Sequence, residues 1–405
     1  MSERPLLARQ PILNREQKIY AYELLCRPIP TDNEAWQTAH GSSATTEVVI
    51  GAVHEIGMMA VTGGKPAFIN FTADFLNIDP PLSPAEMVVE LLEHIPYNDS
   101  NLQAVDRLRQ QGYRIAVDDF TGDAEQARWL NVADIVKVDL MALKEGQTAS
   151  QLRQKFDREG MLWLAEKVET YEEFERCKEA GYDLFQGYFF SKPVTMFGRR
   201  TPDSHMAVMQ LLGTLNRTDS EFEEIVGVIR RDPQLSYRLL QMANSPNVNH
   251  GASITTLQRA ATALGLNRIR SWASLLALGK LSDKPAILQQ QALLRACLMQ
   301  EISAYADSME PDTAFTLGLF SLLDAMLDMP IEDVCARVSL PPELTGALTQ
   351  KTGVYGRHLD AIQHWELGNA DAIEWRTLSV SPSEMEVCIE SAIQSTLQES
   401  GVLNS

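Results

Sequence analysis

The chain has 405 residues, 45% of them hydrophobic and 22% charged, a composition that builds ordinary cores and excludes global disorder. At about 150 residues per domain, this length predicts two or three domains, or one large barrel plus a second unit. Its 54 acidic residues outweigh 35 basic ones for a net charge of -19. That balance argues against a nucleic-acid polymer as partner, since phosphate contacts leave a basic footprint, and a small anionic ligand would need local Arg, Lys or metal ions.

Cys26, Cys177, Cys297, Cys335 and Cys388 are scattered, odd in number and without a CxxC pair. The pattern argues against a disulfide framework or a zinc knuckle and points to a reducing, cytoplasmic setting. Met1-Ser2-Glu3-Arg4-Pro5 opens no apolar core of signal-peptide length, and no uncharged run approaches the roughly 20 residues of a membrane span. The expectation is a soluble chain without a membrane partner.

In chain order, Leu6 to Leu13 and Ile19 to Cys26 flank the polar Asn14-Arg15-Glu16-Gln17-Lys18 and predict an opening hairpin. A helical stretch from about Thr45 to Met59 precedes strands near Ala67–Asn70, Met87–Leu91, Arg114–Asp118, Ile135–Asp139, Leu162–Ala165 and Asp183–Gln186. Helical segments such as Asn101–Gln111 and Tyr171–Glu179 lie between them. Eight strands, the first antiparallel to the second, fit a modified TIM-type (β/α)8 barrel. Beyond Lys192-Pro193-Val194 strand signals nearly vanish. Helices are predicted at His205–Asn216, Ser220–Arg231, Leu235–Ala243, Ile254–Leu264, Asn267–Leu278, Ala286–Ser308, Asp312–Leu327 and Pro342–Leu348, with caps at Asp219 or Ser220 and at Asp232-Pro233. The predicted division is a barrel over 1–194, a linker over 195–204 and an all-α domain over 205–405. The end of the tail, Asn404-Ser405, is expected to fray.

The chemistry lies in how the barrel strands end. Glu23, Asn70, Glu90, Asp118-Asp119, Asp139, Glu166 and Gln186 each close a short apolar run. A polar residue at the C-terminal end of a barrel strand is where this architecture places its sites. A single one reads as a helix cap or surface charge. Several converging carboxylates repel by about 4 kcal/mol per pair at 4 Å and an effective dielectric near 20, so they call for cations or raised pKa values.

These residues, in this order, resemble the EAL family of metal-dependent phosphodiesterases that hydrolyse cyclic di-GMP to linear pGpG. The signature appears as Glu23-Leu24-Leu25, preceded by Gln10-Pro11-Ile12 and followed by Arg27. Asn70, Glu90 with Glu93, Asp118-Asp119-Phe120, Lys137-Val138-Asp139, Ala165-Glu166-Lys167-Val168-Glu169 and Gln186-Gly187-Tyr188 match the remaining motifs. The resemblance implies Mg²⁺ or Mn²⁺ held by Glu23, Asn70, Glu90 and Asp118, with Asp118 and Asp119 bridging to a second ion. It implies Lys137 beside the attacking water, Glu166 and Gln186 in the shell of the second metal and water, and Glu93 under the loop after Asp119. Arg27 and Gln10 are implied to bind the ligand, cyclic di-GMP.

The chain also departs from that family. Pro28-Ile29-Pro30-Thr31-Asp32-Asn33 stands where a substrate-covering segment is expected. Thr121-Gly122-Asp123-Ala124-Glu125 replaces a longer Gly-rich loop that couples metal binding to dimerisation. Lys167 replaces a Gly, and its ammonium either pairs with the acidic cluster or points to solvent.

In the second half, Arg231-Asp232-Pro233-Gln234-Leu235-Ser236-Tyr237-Arg238-Leu239-Leu240 and Ile254-Thr255-Thr256-Leu257-Gln258-Arg259-Ala260 resemble the HDOD domain. That resemblance implies a non-catalytic relative of HD-type phosphohydrolases that binds a signalling protein. Gly318-Leu319-Phe320-Ser321-Leu322-Leu323-Asp324 carries Ser and Leu where an HD enzyme needs His-Asp. His205, His250, His358 and His364 are read as surface or loop residues, and Trp272, Trp365 and Trp375 as core or interface anchors. The expected function is cyclic di-GMP hydrolysis under control of the HDOD domain, with a homodimer implied by the family. The alternative is a degenerate barrel acting as nucleotide sensor or protein scaffold.

Overall fold

The computed structural model describes residues 6–27, 58–80, 82–144, 146–192, 203–217, 222–230, 233–244, 254–279, 281, 284–338 and 340–403. Most of the predicted Thr45–Met59 helix, the Pro28–Asn33 segment, most of the predicted linker, His250 and the last two residues lie outside them, as do the side chains of His205 and Arg27. The chain forms two compact units, one of Met1–Phe190 with Trp365–Asp371 and one of Ser191–His364 with Ala372–Ser405.

The first unit is a closed eight-stranded barrel in sequential order: β1 (Leu6–Asn14), β2 (Ile19–Arg27), β3 (Ala67–Phe71), β4 (Met87–Leu91), β5 (Arg114–Val117), β6 (Ile135–Asp139), β7 (Leu162–Glu166) and β8 (Leu184–Gln186). β1 runs antiparallel to both β2 and β8, and the other neighbours pair in parallel. The hairpin turn is set locally. Asn14 Oδ1 accepts the backbone N–H groups of Glu16 at 3.1 Å and Lys18 at 2.9 Å, while Gln17 takes φ 57°. Thr148 and Thr170 open the helices Ala149–Phe156 and Tyr171–Glu179 with reciprocal capping boxes.

Strand alternation then sorts the barrel's side chains. Tyr22, Leu24, Ile69, Phe71, Val89, Leu91, Ile115 and Val117 belong to one apolar cluster, shared with the helical residues Ala104, Val105 and Leu108. Ile12, Ala21, Phe68, Val88, Ala116, Ile135, Leu164 and Leu184, one from each strand, form a second. This second set is the interior layer that plugs a barrel of this size.

The second unit is helical throughout its described residues. Ala286–Ser303 packs against both Pro311–Phe320 and Pro382–Leu403. A Cβ at Gly318 would come within 2.4 Å of the Arg295 carbonyl oxygen, so glycine is what lets the first two helices touch.

Several sequence expectations are corrected. Asp312–Leu327 is two helices, Pro311–Phe320 and Leu323–Leu327, because Leu322 leaves helical geometry at φ -123° and ψ 16°. There Ser321 Oγ donates to the Gly318 carbonyl at 2.7 Å, a side chain competing with the backbone ladder. The helix begun at Ala286 ends at Ser303, short of Ser308. Ile331–Val338, Gly353–Glu366 and Pro382–Leu403 are helices without a sequence-based assignment. His358, read as a surface or loop residue, is fully buried at 0% exposure. No helix among the described residues is long and apolar enough to cross a membrane.

Candidate active site

The polar layer above the barrel core follows from a period of two. Residues two apart on a strand share a face. From the interior apolar layer, Ala21 leads to Glu23, Phe68 to Asn70, Val88 to Glu90, Ala116 to Asp118, Ile135 to Lys137, Leu164 to Glu166 and Leu184 to Gln186. On the antiparallel β1 the same step runs backwards, from Ile12 to Gln10. Each strand therefore sends one polar side chain toward the C-terminal mouth of the parallel strands. Register agrees: Gln10 lies opposite Glu23, Ile12 opposite Gln186, and Asn70 opposite Glu90.

Lys137 stands at the centre and is 1% exposed. Its Nζ lies 2.9 Å from Asp118 Oδ1, 2.9 Å from Glu166 Oε1 and 3.5 Å from Glu23 Oε1, and it also contacts Glu90 Oε1. Gln186 Nε2 donates to Glu23 Oε2 at 2.5 Å and to Gln10 Oε1 at 2.8 Å. Four carboxylates thus share a single ammonium, a charge imbalance that burial makes costly.

The titration properties reflect that imbalance. Burial pushes the Glu90 carboxyl well above the usual range, against the pull of Lys137, with Glu23, Asp118 and Glu166 adding repulsion. Glu166 is pushed up to about 8 for the same leading reason. Burial alone would depress the Lys137 ammonium, but Asp118, Glu166, Glu23 and Glu90 together hold it well above the usual lysine range.

A second cluster lies beside the first. Carboxylate oxygens of Glu93, Asp118 and Asp119 all fall within 4.8 Å of one another. Burial, then Asp118, raises Asp119 to about 6. Asp119 has φ 44°, a left-handed conformation that costs on the order of 1 kcal/mol outside glycine. The following residue anchors it: Phe120 donates its N–H to the Lys137 carbonyl at 2.9 Å, and its ring meets Phe156 edge-on at 5.1 Å. The short Thr121–Glu125 loop is well tied, with Gln126 Nε2 donating to the Asp119 carbonyl at 3.1 Å and Gln147 Nε2 to the Thr121 carbonyl at 2.9 Å.

At β8 only glycine fits after Gln186. Gly187 has φ 143°, and a Cβ there would lie 2.1 Å from the Val168 carbonyl oxygen, because the β7 and β8 ends close against each other. Arg27 ends β2, and its side chain lies outside the described residues. Sequence reasoning matched Asp139 to a motif without giving it a role. In the structure its Oδ2 receives Lys167 Nζ at 2.5 Å and its Oδ1 the Met141 N–H at 2.8 Å.

The donor set fits a hard divalent cation. Glu90 Oε2, Glu166 Oε2 and Gln186 Oε1 are buried oxygens that no protein donor reaches, which leaves them available to such a cation.

Two family models match the chain, the EAL domain over residues 56–193 and the HDOD domain over residues 201–327. A Vibrio cholerae serotype O1 protein named cyclic di-GMP phosphodiesterase CdgJ is 32% identical over 386 residues, 92% of this chain and 88% of that protein. The chain belongs to the EAL–HDOD family. YuxH of Bacillus subtilis strain 168, itself uncharacterized, is 30% identical over 402 residues, 96% of this chain and 98% of its own. Among solved structures, the EAL domain protein of Listeria monocytogenes EGD-e overlays with a TM-score of 0.38 at 20% identity, covering 46% of this chain and 87% of that one. The EAL match starts after β2, so Gln10 and Glu23 precede it, yet β1 and β2 close the same barrel.

Proposed function

We propose that the barrel of this EAL–HDOD protein is a divalent-metal-dependent phosphodiesterase that opens cyclic di-GMP to linear pGpG, with the helical unit as its non-catalytic regulator. The observation that carries this reading is the set of buried oxygens of Glu90, Glu166 and Gln186 that no protein donor reaches, on side chains gathered around Lys137 and Glu23. The name of the Vibrio cholerae relative, aligned over 92% of the chain, supports the substrate.

In this reading Glu23, Asn70, Glu90 and Asp118 would hold one Mg²⁺ or Mn²⁺, and Glu93, Asp118 and Asp119, whose carboxylate oxygens lie within 4.8 Å of one another, would hold a second. Bound divalent ions supply Lewis acidity, lowering the pKa of water and stabilising charge on the phosphoryl oxygens. The chain's own residues do the rest. Lys137, within hydrogen-bond reach of Asp118 and Glu166, orients the attacking water. Glu166, 2.9 Å from Lys137 Nζ, is placed beside that water to receive its proton. The water oxygen bonds to phosphorus, one P–O ester bond breaks, and the departing sugar oxygen takes a proton from solvent as Glu166 returns its own to solvent. Gln186 and Gln10 fix Glu23, and Gln10 with Arg27 borders the ligand.

The proposed setting is the cytoplasm, with a signalling protein on the HDOD unit and a homodimer as the working assembly. A second reading, nucleotide sensing without turnover, is favoured by one observation: Lys137 already neutralises part of the cluster. Incubation of the pure protein with cyclic di-GMP and Mg²⁺ or Mn²⁺, beside Glu23→Ala, separates them. Linear product from the wild type and at least ~100-fold less from the variant is expected. Calorimetric binding without product selects the sensor, and neither binding nor product sinks both.

A further inference from the structure

The barrel's compact unit includes one stretch from far down the chain, Trp365–Asp371. It begins in the last turn of the helix Gly353–Glu366, where carbonyl groups lack intrahelical donors. One of them is answered from the barrel mouth: Gln10 Nε2 donates to the Glu366 carbonyl at 3.2 Å. Trp365, Glu366 and Ala370 are buried, so the stretch is packed in place. Gly368 closes a tight turn around that carbonyl, its N–H reaching the Trp365 carbonyl at 2.9 Å and its φ standing at 71°.

The bond to Gln10 is the outer end of a relay that reaches Glu23. Gln186 Nε2 donates to Gln10 Oε1 at 2.8 Å and to Glu23 Oε2 at 2.5 Å. A glutamine amide carries both donors on one atom and its acceptor on the other, so each link fixes the direction of the next. With Gln10 Nε2 turned to Glu366, its Oε1 faces Gln186. Both protons of Gln186 are then committed, and its Oε1 lies outside the relay, buried and reached by no protein donor. Turning Gln10 over would set its donor end against that of Gln186 and break the grip on Glu23. The Glu366 carbonyl, which can only accept, holds Gln10 the right way round.

We propose that Trp365–Asp371 is a positioning element of the barrel site: the Glu366 carbonyl fixes the Gln10 amide, and through Gln10 and Gln186 it sets the orientation of Glu23. The site is then incomplete in residues 1–194, the stretch that the strand pattern marks as the barrel. The inference rests on the proposed divalent-metal reading of Glu23, and it concerns how firmly that carboxylate is held. Groups that orient a metal ligand from behind contribute about 10–100-fold to metal affinity.

Isothermal titration of the chelator-stripped full chain with Mn²⁺ tests it, with circular dichroism confirming that each variant is folded. Gln10→Leu removes the relay and should weaken Mn²⁺ binding by ~10-fold or more. Gly368→Val forces a β-branched residue into the left-handed region, rebuilds the turn around the Glu366 carbonyl and should weaken binding by a similar factor. Gly368→Ala, less strained, takes its place if that variant does not fold. Gly368→Asn tolerates the same backbone and should retain wild-type affinity. The double variant of Gln10→Leu with Gly368→Val decides the route. A stretch acting through Gln10 costs nothing further once Gln10 is gone, so its affinity should match that of Gln10→Leu alone. Wild-type affinity in a folded Gln10→Leu or Gly368→Val, equal losses in Gly368→Val and Gly368→Asn, or losses that multiply in the double variant overturn the positioning role and leave metal binding intact. No uptake by the wild type removes the metal reading and the positioning role with it.

Discussion

The two halves of this chain bury charge in opposite ways. In the barrel, polar groups from all strands face one centre, and oxygens of Glu90, Glu166 and Gln186 are left without partners. In the helical unit the buried His358 and Arg295 are separate and locally answered. His358 Nδ1 meets the Val354 carbonyl at 2.8 Å, and its Nε2 accepts the Ser379 N–H at 3.0 Å. Arg295 Nη1 donates to Ser321 Oγ at 3.0 Å. A buried polar group that is satisfied holds a fold together, whereas converging unsatisfied ones mark a place reserved for something else.

The largest test of that contrast is Lys137→Met. Removing the one ammonium from a ring of buried carboxylates should cost the metal-free barrel about 3–5 kcal/mol in urea unfolding. Mg²⁺ should restore a good part of it. Unchanged stability in chelator would show that the carboxylates are neutralised by protons, and the contrast with the helical unit would weaken.

Gly318→Ala examines the other half. Its Cβ would overlap the Arg295 backbone, so a loss of roughly 1–3 kcal/mol from overpacking is expected, with metal uptake by the barrel unchanged. An equal fall in metal uptake would mean that the two units do not behave independently.

The smallest effect is a pH dependence in the helical unit. Burial holds His358 below the usual imidazole value, with its Val354 hydrogen bond opposing and Arg357 assisting. Below pH ~6.5 the unfolded chain takes up a proton that the native state refuses. The contribution is therefore complete above that value and falls as pH drops toward the native pKa, by at most ~1.4 kcal/mol per pH unit. Chemical denaturation at pH 7 and pH 5.5 should show a steeper loss for wild type than for His358→Gln. Parallel curves would place the acid sensitivity elsewhere.

Much of the barrel was legible because its signals are local. A buried parallel strand must be apolar, so Phe68-Ile69-Asn70 or Val88-Val89-Glu90 announces both the strand and its polar end. The step of two from Phe68 to Asn70, or from Val88 to Glu90, was also available, and it separates an inward polar residue from a surface one. The helical half was less readable. Pro382–Leu403 carries its own start signal, since Ser381 and Glu384 form a reciprocal cap, with the Ser381 N–H on Glu384 Oε2 at 2.8 Å and the Glu384 N–H on Ser381 Oγ at 3.3 Å. The Ser-Pro-Ser stretch there reads as a loop only if the Glu that follows is ignored. The burial of His358 is not legible in the sequence, because composition does not reveal which helix face is covered.

By itself, then, the amino-acid sequence determined the eight barrel strands, the helical second half and the chemical character of the strand ends, since hydrophobic periodicity and caps act over a few residues. Tertiary structure alone decided that Lys137 stands among Glu23, Glu90, Asp118 and Glu166, and that Lys167 turns to Asp139 rather than to water. Those pairings join residues far apart in the chain, and closure of the barrel, which no local signal encodes, is what sets their distances.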